Sequence, residues 1–214
     1  MKTLLGVAAL LLPAAAGAQA RRMEGVGRIT AYPGWRLTPN DYFYDSASRA
    51  GHDPERPSLG GPQVTGSFAY AATDEIEVGI DLFGGAETLR LSGMEPIGST
   101  TYGGLIGVRL QKPGLFFDAL VPSFGVHTGP ALILVSSRSL ERPHEVLTTA
   151  YAATAGFTVR LGERWGLSLE YKLLLARGMV PHISGVNGGG HWLSVGFTTY
   201  FPSEPGSETG FRRF

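Results

Sequence analysis

Two apolar runs near the end of the chain constrain its fold more than any other feature. In the first run, Trp165–Leu175, every odd position is large and apolar, and most even positions are small or charged. The second run, residues 191–201, alternates in the same way. Alternation with a period of two indicates a β-strand with two unlike faces.

Three kinds of β-structure carry strands of this kind. In a soluble sandwich, the apolar face is a core and the polar face meets water. In a membrane barrel, the apolar face meets lipid, and the small or charged face fills a narrow lumen. A soluble lipocalin-like barrel would have an apolar interior. The polar faces of this chain are charged and rich in glycine, which favours the membrane barrel over the lipocalin-like barrel.

Eight alternating segments can be counted between Val26 and Phe201. The connections 73–75 and 162–164 are short, whereas 38–61 and 176–190 are long, as in outer-membrane barrels. Connection 112–121 is an exception, so it is either an interfacial segment or the start of the fifth strand. Pro33 and Pro130 are expected to weaken the ladder. Aromatic residues of the apolar faces fall into two bands, which suit the two membrane interfaces: Tyr70, Phe124, Trp165 and Phe201 near the short connections, and Trp35 and Tyr102 near the long ones, with Tyr151 between the long connections and the middle.

Composition excludes several classes of function. The chain has no cysteine, so disulfides and thiolate zinc sites are excluded. Lys plus Arg equals Asp plus Glu, at 18 each, so no charge-driven binding of nucleic acid is expected. The histidines are dispersed without metal-ligand spacing, and we expect neither a metal nor a cofactor.

The first 20 residues have the features of a secretory signal peptide. Lys2 precedes an apolar segment, Pro13 ends it, and residues 18–20 (Ala-Gln-Ala) fit a cleavage site. We therefore expect a signal peptide over 1–20, a barrel over 21–201 and a tail over 202–214. After the signal peptide, no apolar run is long enough for a transmembrane helix.

The stretch from Gly188 to Phe201, with Gly-Gly-Gly-His-Trp-Leu-Ser-Val-Gly-Phe at its start, resembles the closing strand of small eight-stranded outer-membrane proteins of the OmpA, OmpX and OmpW kind. The resemblance in pattern covers residues 21–201. It implies an all-β, eight-stranded antiparallel transmembrane up-and-down β-barrel in the outer membrane. It also implies contact with membrane lipid and lipopolysaccharide, insertion by the outer-membrane assembly machinery and, we expect, a monomer. The assembly signal would end at Phe201 or at Phe214.

The inward faces of the predicted strands carry both signs of charge. An eight-stranded barrel is only wide enough for side chains, and an isolated ion removed from water costs several kcal/mol or more. We therefore expect an ion-pair network that plugs the lumen. This favours a non-enzymatic protein with a structural or surface-interaction role. The network comprises Arg28, Glu77, Asp81, Arg109, Arg160, Glu170 and Lys172.

An enzymatic alternative rests on His182 and Ser184. Some outer-membrane barrels that remove acyl chains from lipid A carry a His-x-Ser near their end, and this pair resembles that motif. A Ser–His pair requires hydrogen-bond reach and a third group that holds the imidazole ring. Gly185 replaces the asparagine that typically follows the serine in those enzymes. The alternative function is a lipid A acyl hydrolase.

The long first connection and one inward histidine leave further alternatives open. The Tyr42-Phe43-Tyr44 cluster is either a contact surface or a cap on the barrel mouth. The acidic residues around it favour a solvated loop over a calcium site, because the glycine-centred calcium-loop spacing is missing. His127 is expected to be a packed and hydrogen-bonded interior residue. The acidic residues are Asp41, Asp45, Asp53 and Glu55.

Overall fold

The computed structural model describes residues 23–201 except 39, 50, 54, 56–59, 117–118, 138–142 and 181–183. The expected signal peptide and the expected tail, with Phe214, lie outside the described residues. Strands dominate the described chain, with one helix, α1 (Asp41–Arg49), in the first long connection. The strands are β1 (Gly27–Leu37), β2 (Gly61–Ala71), β3 (Ile76–Leu89), β4 (Ile97–Gln111), β5 (Leu120–Ser136), β6 (His144–Arg160), β7 (Trp165–Leu175), β8 (Arg177–Val180), β9 (Ser184–Asn187) and β10 (Gly190–Phe201).

Eight of these strands form a closed barrel in the order β1-β10-β7-β6-β5-β4-β3-β2. All neighbouring strands are antiparallel, including the closing pair β1 and β10. The expected antiparallel up-and-down barrel is therefore confirmed. Connections 72–75, 112–119 and 161–164 lie at one end, called the short-turn end here. Connections 38–60, 90–96, 137–143 and 176–189 lie at the opposite, long-loop end.

Proline interrupts the ladder without shifting it. In β1, pairing with β10 stops after Ala31 and resumes at Gly34 in the same register, leaving out Pro33. Between β4 and β5, pairing likewise stops for two positions, Gly129 and Pro130, and then resumes in the same register. Proline has no N–H to donate, which explains the local loss of pairing. The expected weak points are confirmed, and the constant register shows that neither is a bulge.

Two long connections contain regular structure that the sequence did not predict. Connection 38–61 was expected to be a solvated loop, but it contains α1. Asp41 in the first turn and Arg49 in the last turn suit the helix dipole. Residues 176–190 were expected to be a loop, but β8 and β9 form a two-stranded hairpin there. Among the described residues, no helix is both long enough and apolar enough to cross a membrane.

Strand β5 begins at Leu120, two positions before the predicted Pro122, so the exceptional connection shortens to residues 112–119. Its described part still exposes Leu115 and Phe116. Both ideas about this connection therefore apply: the strand starts earlier, and apolar side chains remain exposed beside it.

Outward-facing side chains form an apolar belt around the barrel. Midway along β7, Leu169 is outward and 37% exposed, while its neighbours Ser168 and Glu170 are buried inside. The same alternation runs along β2 and β10 without a break. All seven aromatic residues assigned to the two bands are exposed on this outer surface: Trp35, Tyr70, Tyr102, Phe124, Tyr151, Trp165 and Phe201.

Glycines on the inner wall make room for large inward side chains. A β-carbon added at Gly196 would lie 2.5 Å from Cδ1 and Cε1 of Tyr32. A β-carbon at Gly107 would collide with the ring of His127. Because glycine lacks a side chain, an aromatic ring on the adjacent strand can lie flat against its backbone. Part of the high glycine content thus reflects tight packing inside a narrow barrel.

Candidate functional site

Four charged side chains from three strands meet in the lower half of the lumen, nearer the short-turn end. Arg109 Nη2 donates to Asp81 Oδ1 at 3.0 Å and to Oδ2 at 3.2 Å. Lys172 Nζ donates to Asp81 Oδ2 at 2.9 Å. Glu170 lies 3.5 Å from both cations. These residues, Asp81, Arg109, Glu170 and Lys172, are called the central cluster.

The central cluster is removed from solvent. The side chains of Asp81 and Lys172 are 0% and 1% exposed, and those of Arg109 and Glu170 are 3% and 7% exposed. Ser67 adds a hydroxyl that accepts from Arg109 Nη1 at 3.0 Å. Two cations and two carboxylates balance within one cluster, which offsets the cost of burying each ion.

Arg28 and Arg160 lie closer to the short-turn end. Arg28 Nη2 donates to Glu77 Oε2 at 2.6 Å, and this pair is also buried. The Arg160 guanidinium carbon lies 4.9 Å from the centre of the Tyr200 ring, and its Nη1 donates to the Met23 sulfur at 3.4 Å. At least six of the seven predicted residues thus lie in carboxylate–cation contacts, and Arg160 contacts an aromatic ring and a thioether.

Sequence reasoning missed a second buried ion pair near the long-loop end. Arg36 Nη2 donates to Glu87 Oε2 at 2.8 Å, and both side chains are 0% exposed. Asn40 Nδ2 donates to the same Glu87 oxygen at 2.9 Å. Arg36 Nη1 donates to the carbonyl oxygen of Gly188 at 2.9 Å. These three residues, Arg36, Asn40 and Glu87, are called the upper cluster.

A sequence signal for the upper cluster did exist. Arg36 shares the inward face of β1 with Arg28, and Glu87 shares the inward parity of β3 with Glu77. Counting both positions as lumen residues would have added two opposite charges to the predicted interior network, without showing that they meet. The contribution of Asn40 could not have been found in this way, because it lies outside any strand.

An apolar layer separates the central cluster from the upper cluster. The rings of Phe83 and Trp192 meet edge to face with their centres 5.6 Å apart. Edge-to-face contact at this distance is a favoured geometry for aromatic rings. The layer comprises Phe83, Leu105, Ala131, Ala150, Ala152, Leu174, Ala176 and Trp192.

A second apolar layer closes the long-loop end. Phe43 and Tyr44 of α1 are 2% and 8% exposed, and their rings meet edge to face at 5.4 Å. They pack over inward side chains of the barrel rim and against Val186 of the hairpin. This geometry matches the cap alternative for this cluster; the side chain of Tyr42 is outside the described set. This layer, called the cap, comprises Phe43, Tyr44, Ala47, Leu89, Leu91, Ile97, Ile133, Val135 and Val186.

Hydrogen bonds fasten the cap to the charged layer below it. Asn40, just before α1, donates to Glu87, and its Oδ1 accepts from the backbone N–H of Asn187 at 3.0 Å. Thr38 Oγ1 donates to the carbonyl oxygen of Gly189 at 2.8 Å. The entry to α1, the end of the hairpin and the upper cluster therefore form one connected unit.

Charged layers and apolar layers follow one another along the lumen, with two charged layers side by side nearer the short-turn end. From the short-turn end, the inward residues of β3 run Glu77, Asp81, Phe83, Glu87 and Leu89, one from each successive layer. Below them, a small apolar group lies at the short-turn end itself, formed by Met23, Val26, Ala71 and Tyr200. In the part of the chain that the structure describes, buried side chains extend into the lumen in each of these layers.

His127 lies among these layers but does not behave as expected. It is 5% exposed, and its ring lies against Gly107 and Gly125. Neither ring nitrogen has a hydrogen-bond partner among the described residues. The expectation of a packed residue is correct, whereas the expected protein hydrogen bonds to its ring are not found among the described residues.

The two side chains of the enzymatic alternative lie outside what the structure describes, so this alternative stays a prediction. His182 lies outside the described residues. Ser184 is the first residue of β9, and its side chain is likewise outside the described set. Within the described ranges, no group of three or more metal-ligating side chains occurs.

Two solved structures share this architecture. The outer-membrane protein OprG from Pseudomonas aeruginosa is similar with a TM-score of 0.61 and 14% identity, over 85% of this chain and 98% of that chain. Neisserial surface protein A is similar with a TM-score of 0.51 and 12% identity, over 86% of this chain and 98% of that chain. No protein-family model matches the sequence, and no curated protein matches it. At these identities, the likeness shows a shared fold.

Proposed function

We propose that this chain, which has the fold of the small eight-stranded outer-membrane barrels, is a sealed, non-enzymatic anchor in the outer membrane. Its role is structural or surface-interacting, with the capped end facing outward. The observation that carries this proposal is the alternation of buried ion pairs with apolar layers along the lumen. A barrel filled in this way has no continuous polar path for ions.

The exterior supports residence in a membrane. Most outward residues along the strands are large and apolar, and most charged residues of the strands lie inside. In water, such a belt would favour aggregation, because monomeric soluble proteins rarely expose a continuous apolar surface of that extent. In a bilayer, the same belt meets hydrocarbon, and the aromatic residues at both edges of the belt meet the lipid headgroups.

The cap supports the surface-interaction part of the role. Helix α1 and the β8–β9 hairpin cover the barrel mouth instead of leaving it open. A fixed surface on a rigid barrel can present exposed polar side chains such as Asp41 and Asp45 to partners outside the cell, while the outer belt meets membrane lipid and lipopolysaccharide. Insertion by the outer-membrane assembly machinery and a monomeric state complete the proposal.

Planar-bilayer recordings test the sealed lumen. The full chain, refolded in detergent, should insert without producing large steady conductance steps, while an open porin in the same bilayer produces them. Heat-modified gel mobility of the same sample verifies that the barrel is folded. Large steady conductance from folded protein would refute the sealed-lumen proposal.

The enzymatic alternative has a direct test of its own. Lipid A from cells expressing the wild type should have the same mass as lipid A from cells expressing Ser184→Ala. A loss of acyl chains that depends on Ser184 would instead establish the acyl hydrolase.

A further inference from the structure

A groove on the outer wall at the short-turn end combines apolar walls with a pair of opposite charges. It has a volume of about 470 Å³ and is lined by Leu110, Leu115, Pro122 and Phe124, with Glu75 and Lys112 at its charged rim. Leu110 and Phe124 are direct cross-strand partners of β4 and β5. They are 57% and 54% exposed on the surface that faces lipid.

The charged rim is held in place by the backbone. Lys112 Nζ donates to Glu75 Oε1, and both side chains are 59% exposed. The Gln111 N–H donates to the Glu75 carbonyl oxygen at 2.8 Å, and the Lys112 N–H donates to the Pro122 carbonyl oxygen at 3.0 Å. On the other side, Thr73 Oγ1 accepts from the Glu75 N–H at 3.2 Å. The two charges therefore stand at a fixed place beside the groove.

The position of the groove relates it to the membrane surface. Phe124 belongs to the aromatic band at the short-turn end, where rings meet the headgroup zone. Leu115, in connection 112–119, extends the apolar wall beyond the strands and is 55% exposed. A molecule in the groove would have its apolar part along Leu110 and Phe124 and its polar part beside Glu75 and Lys112.

We propose that this groove binds a zwitterionic phospholipid with a primary ammonium headgroup, such as phosphatidylethanolamine. The lipid ammonium donates to the Glu75 carboxylate, and the lipid phosphate accepts from the Lys112 ammonium. One acyl chain lies along Leu110 and Phe124. A headgroup with both charges matches both members of the pair, whereas a purely anionic headgroup is attracted by Lys112 and repelled by Glu75.

The inference goes beyond the sealed anchor, although it requires the barrel to lie in a bilayer. Photo-cross-linking in vesicles of equal phosphatidylethanolamine and phosphatidylglycerol tests it. One lipid at a time carries a diazirine in its acyl chain, and cross-links are mapped by mass spectrometry to residues 110–124. Cross-linking at Phe197, on the outer face of β10, provides the reference for general lipid contact.

For the wild type, the normalised cross-link at residues 110–124 should favour phosphatidylethanolamine by about 1.5- to fivefold, the range expected for exposed charge pairs. Glu75→Gln and Lys112→Gln should each reduce this preference towards parity. The exchanged variant Glu75→Lys/Lys112→Glu keeps both charges and should keep the preference. Arg164→Gln, which removes an exposed charge from a different short turn, should leave it unchanged.

Equal cross-linking of the two lipids by the wild type would overturn the inference, as would a preference that survives both single variants. Failure of the sealed-anchor proposal is recognised separately, by conductance or by loss of heat-modified mobility. A folded, silent barrel without lipid preference would contradict only the lipid site.

Discussion

At the scale of single residues, Asp81 holds the central cluster together because it accepts hydrogen bonds from two buried cations. Its carboxylate contacts Arg109 and Lys172 at 2.9–3.2 Å and is 0% exposed. Glu170 contacts the same cations only at 3.5 Å. Loss of the Asp81 charge would leave the cluster with two cations and one carboxylate in a place without solvent.

Asp81→Asn should therefore lower the free energy of unfolding by about 3–5 kcal/mol, the cost of breaking a buried ion pair from one side. Glu75→Gln, which breaks the exposed pair with Lys112, should cost about 0–1 kcal/mol. Urea titrations of the two variants in lipid vesicles, followed by tryptophan fluorescence, measure both values. Equal midpoints would contradict the stabilising role of the central cluster.

Gly196 provides a residue-scale test of packing without charge. Its backbone lies under the ring of Tyr32, which is 3% exposed. Gly196→Ala should cost roughly 1–3 kcal/mol, because the ring has no free space to move into. Gly66 faces outward with open space around it, so Gly66→Ala should be neutral or slightly stabilising. The same urea titrations distinguish the two, and an unaffected Gly196→Ala would show that the lumen packs loosely.

At the scale of elements, helix α1 is stabilised by the barrel mouth more than by its own sequence. It has nine residues, fewer than an isolated helix needs in water. Its buried face consists of Phe43, Tyr44 and Ala47, spaced as one side of a helix. The exposed face carries Asp41 and Asp45.

Phe43→Ala should open the cap without unfolding the barrel. Removing a buried phenylalanine side chain costs about 3–5 kcal/mol. Here the loss destabilises the cap, which can unfold locally while the barrel stays folded. We expect faster proteolytic cleavage within residues 38–60 while heat-modified mobility stays that of the wild type. Asp45→Ala, on the exposed face, should leave cleavage unchanged. Cleavage of Phe43→Ala at the wild-type rate would show that the cap does not depend on this side chain.

At the scale of the whole molecule, the barrel is organised as an inside-out protein. Most charged residues of its barrel strands lie in the lumen and most large apolar residues of these strands face outward, so its stability depends on a bilayer as solvent. The cost of an outward charge should then depend on depth, because the middle of the bilayer contains hydrocarbon and its edges contain headgroups. Leu169 lies midway along β7, and Ile76 lies at the short-turn edge of β3.

Leu169→Arg should destabilise the inserted barrel by about 2–4 kcal/mol, and Ile76→Arg by about 0–1 kcal/mol. Folding yield into vesicles and the fraction with heat-modified mobility measure the difference. Insertion of both variants as efficiently as the wild type would show that the outer belt does not meet hydrocarbon.

The sequence by itself determined the barrel wall. Alternation with a period of two assigns each residue to one of two faces, so the parity of Arg28, Asp81 and Leu169 within their segments was enough to place each of them inside or outside the barrel. Ions confined to a narrow lumen must also find partners, which made charge pairing on the inner face predictable. Proline without an N–H likewise marked the two weak points of the ladder.

Only the tertiary structure decided what closes the ends and which charges meet. Strand alternation shows whether a side chain points into the lumen or outward, but not its position along the barrel axis. That position depends on the stagger of the β-strands around the barrel. Arg36 therefore could not be assigned to Glu87, nor Arg160 to Tyr200, from pattern alone. Helix α1 was hidden because its short amphipathic face gains its stability from Val186 and the barrel rim, which are remote in sequence.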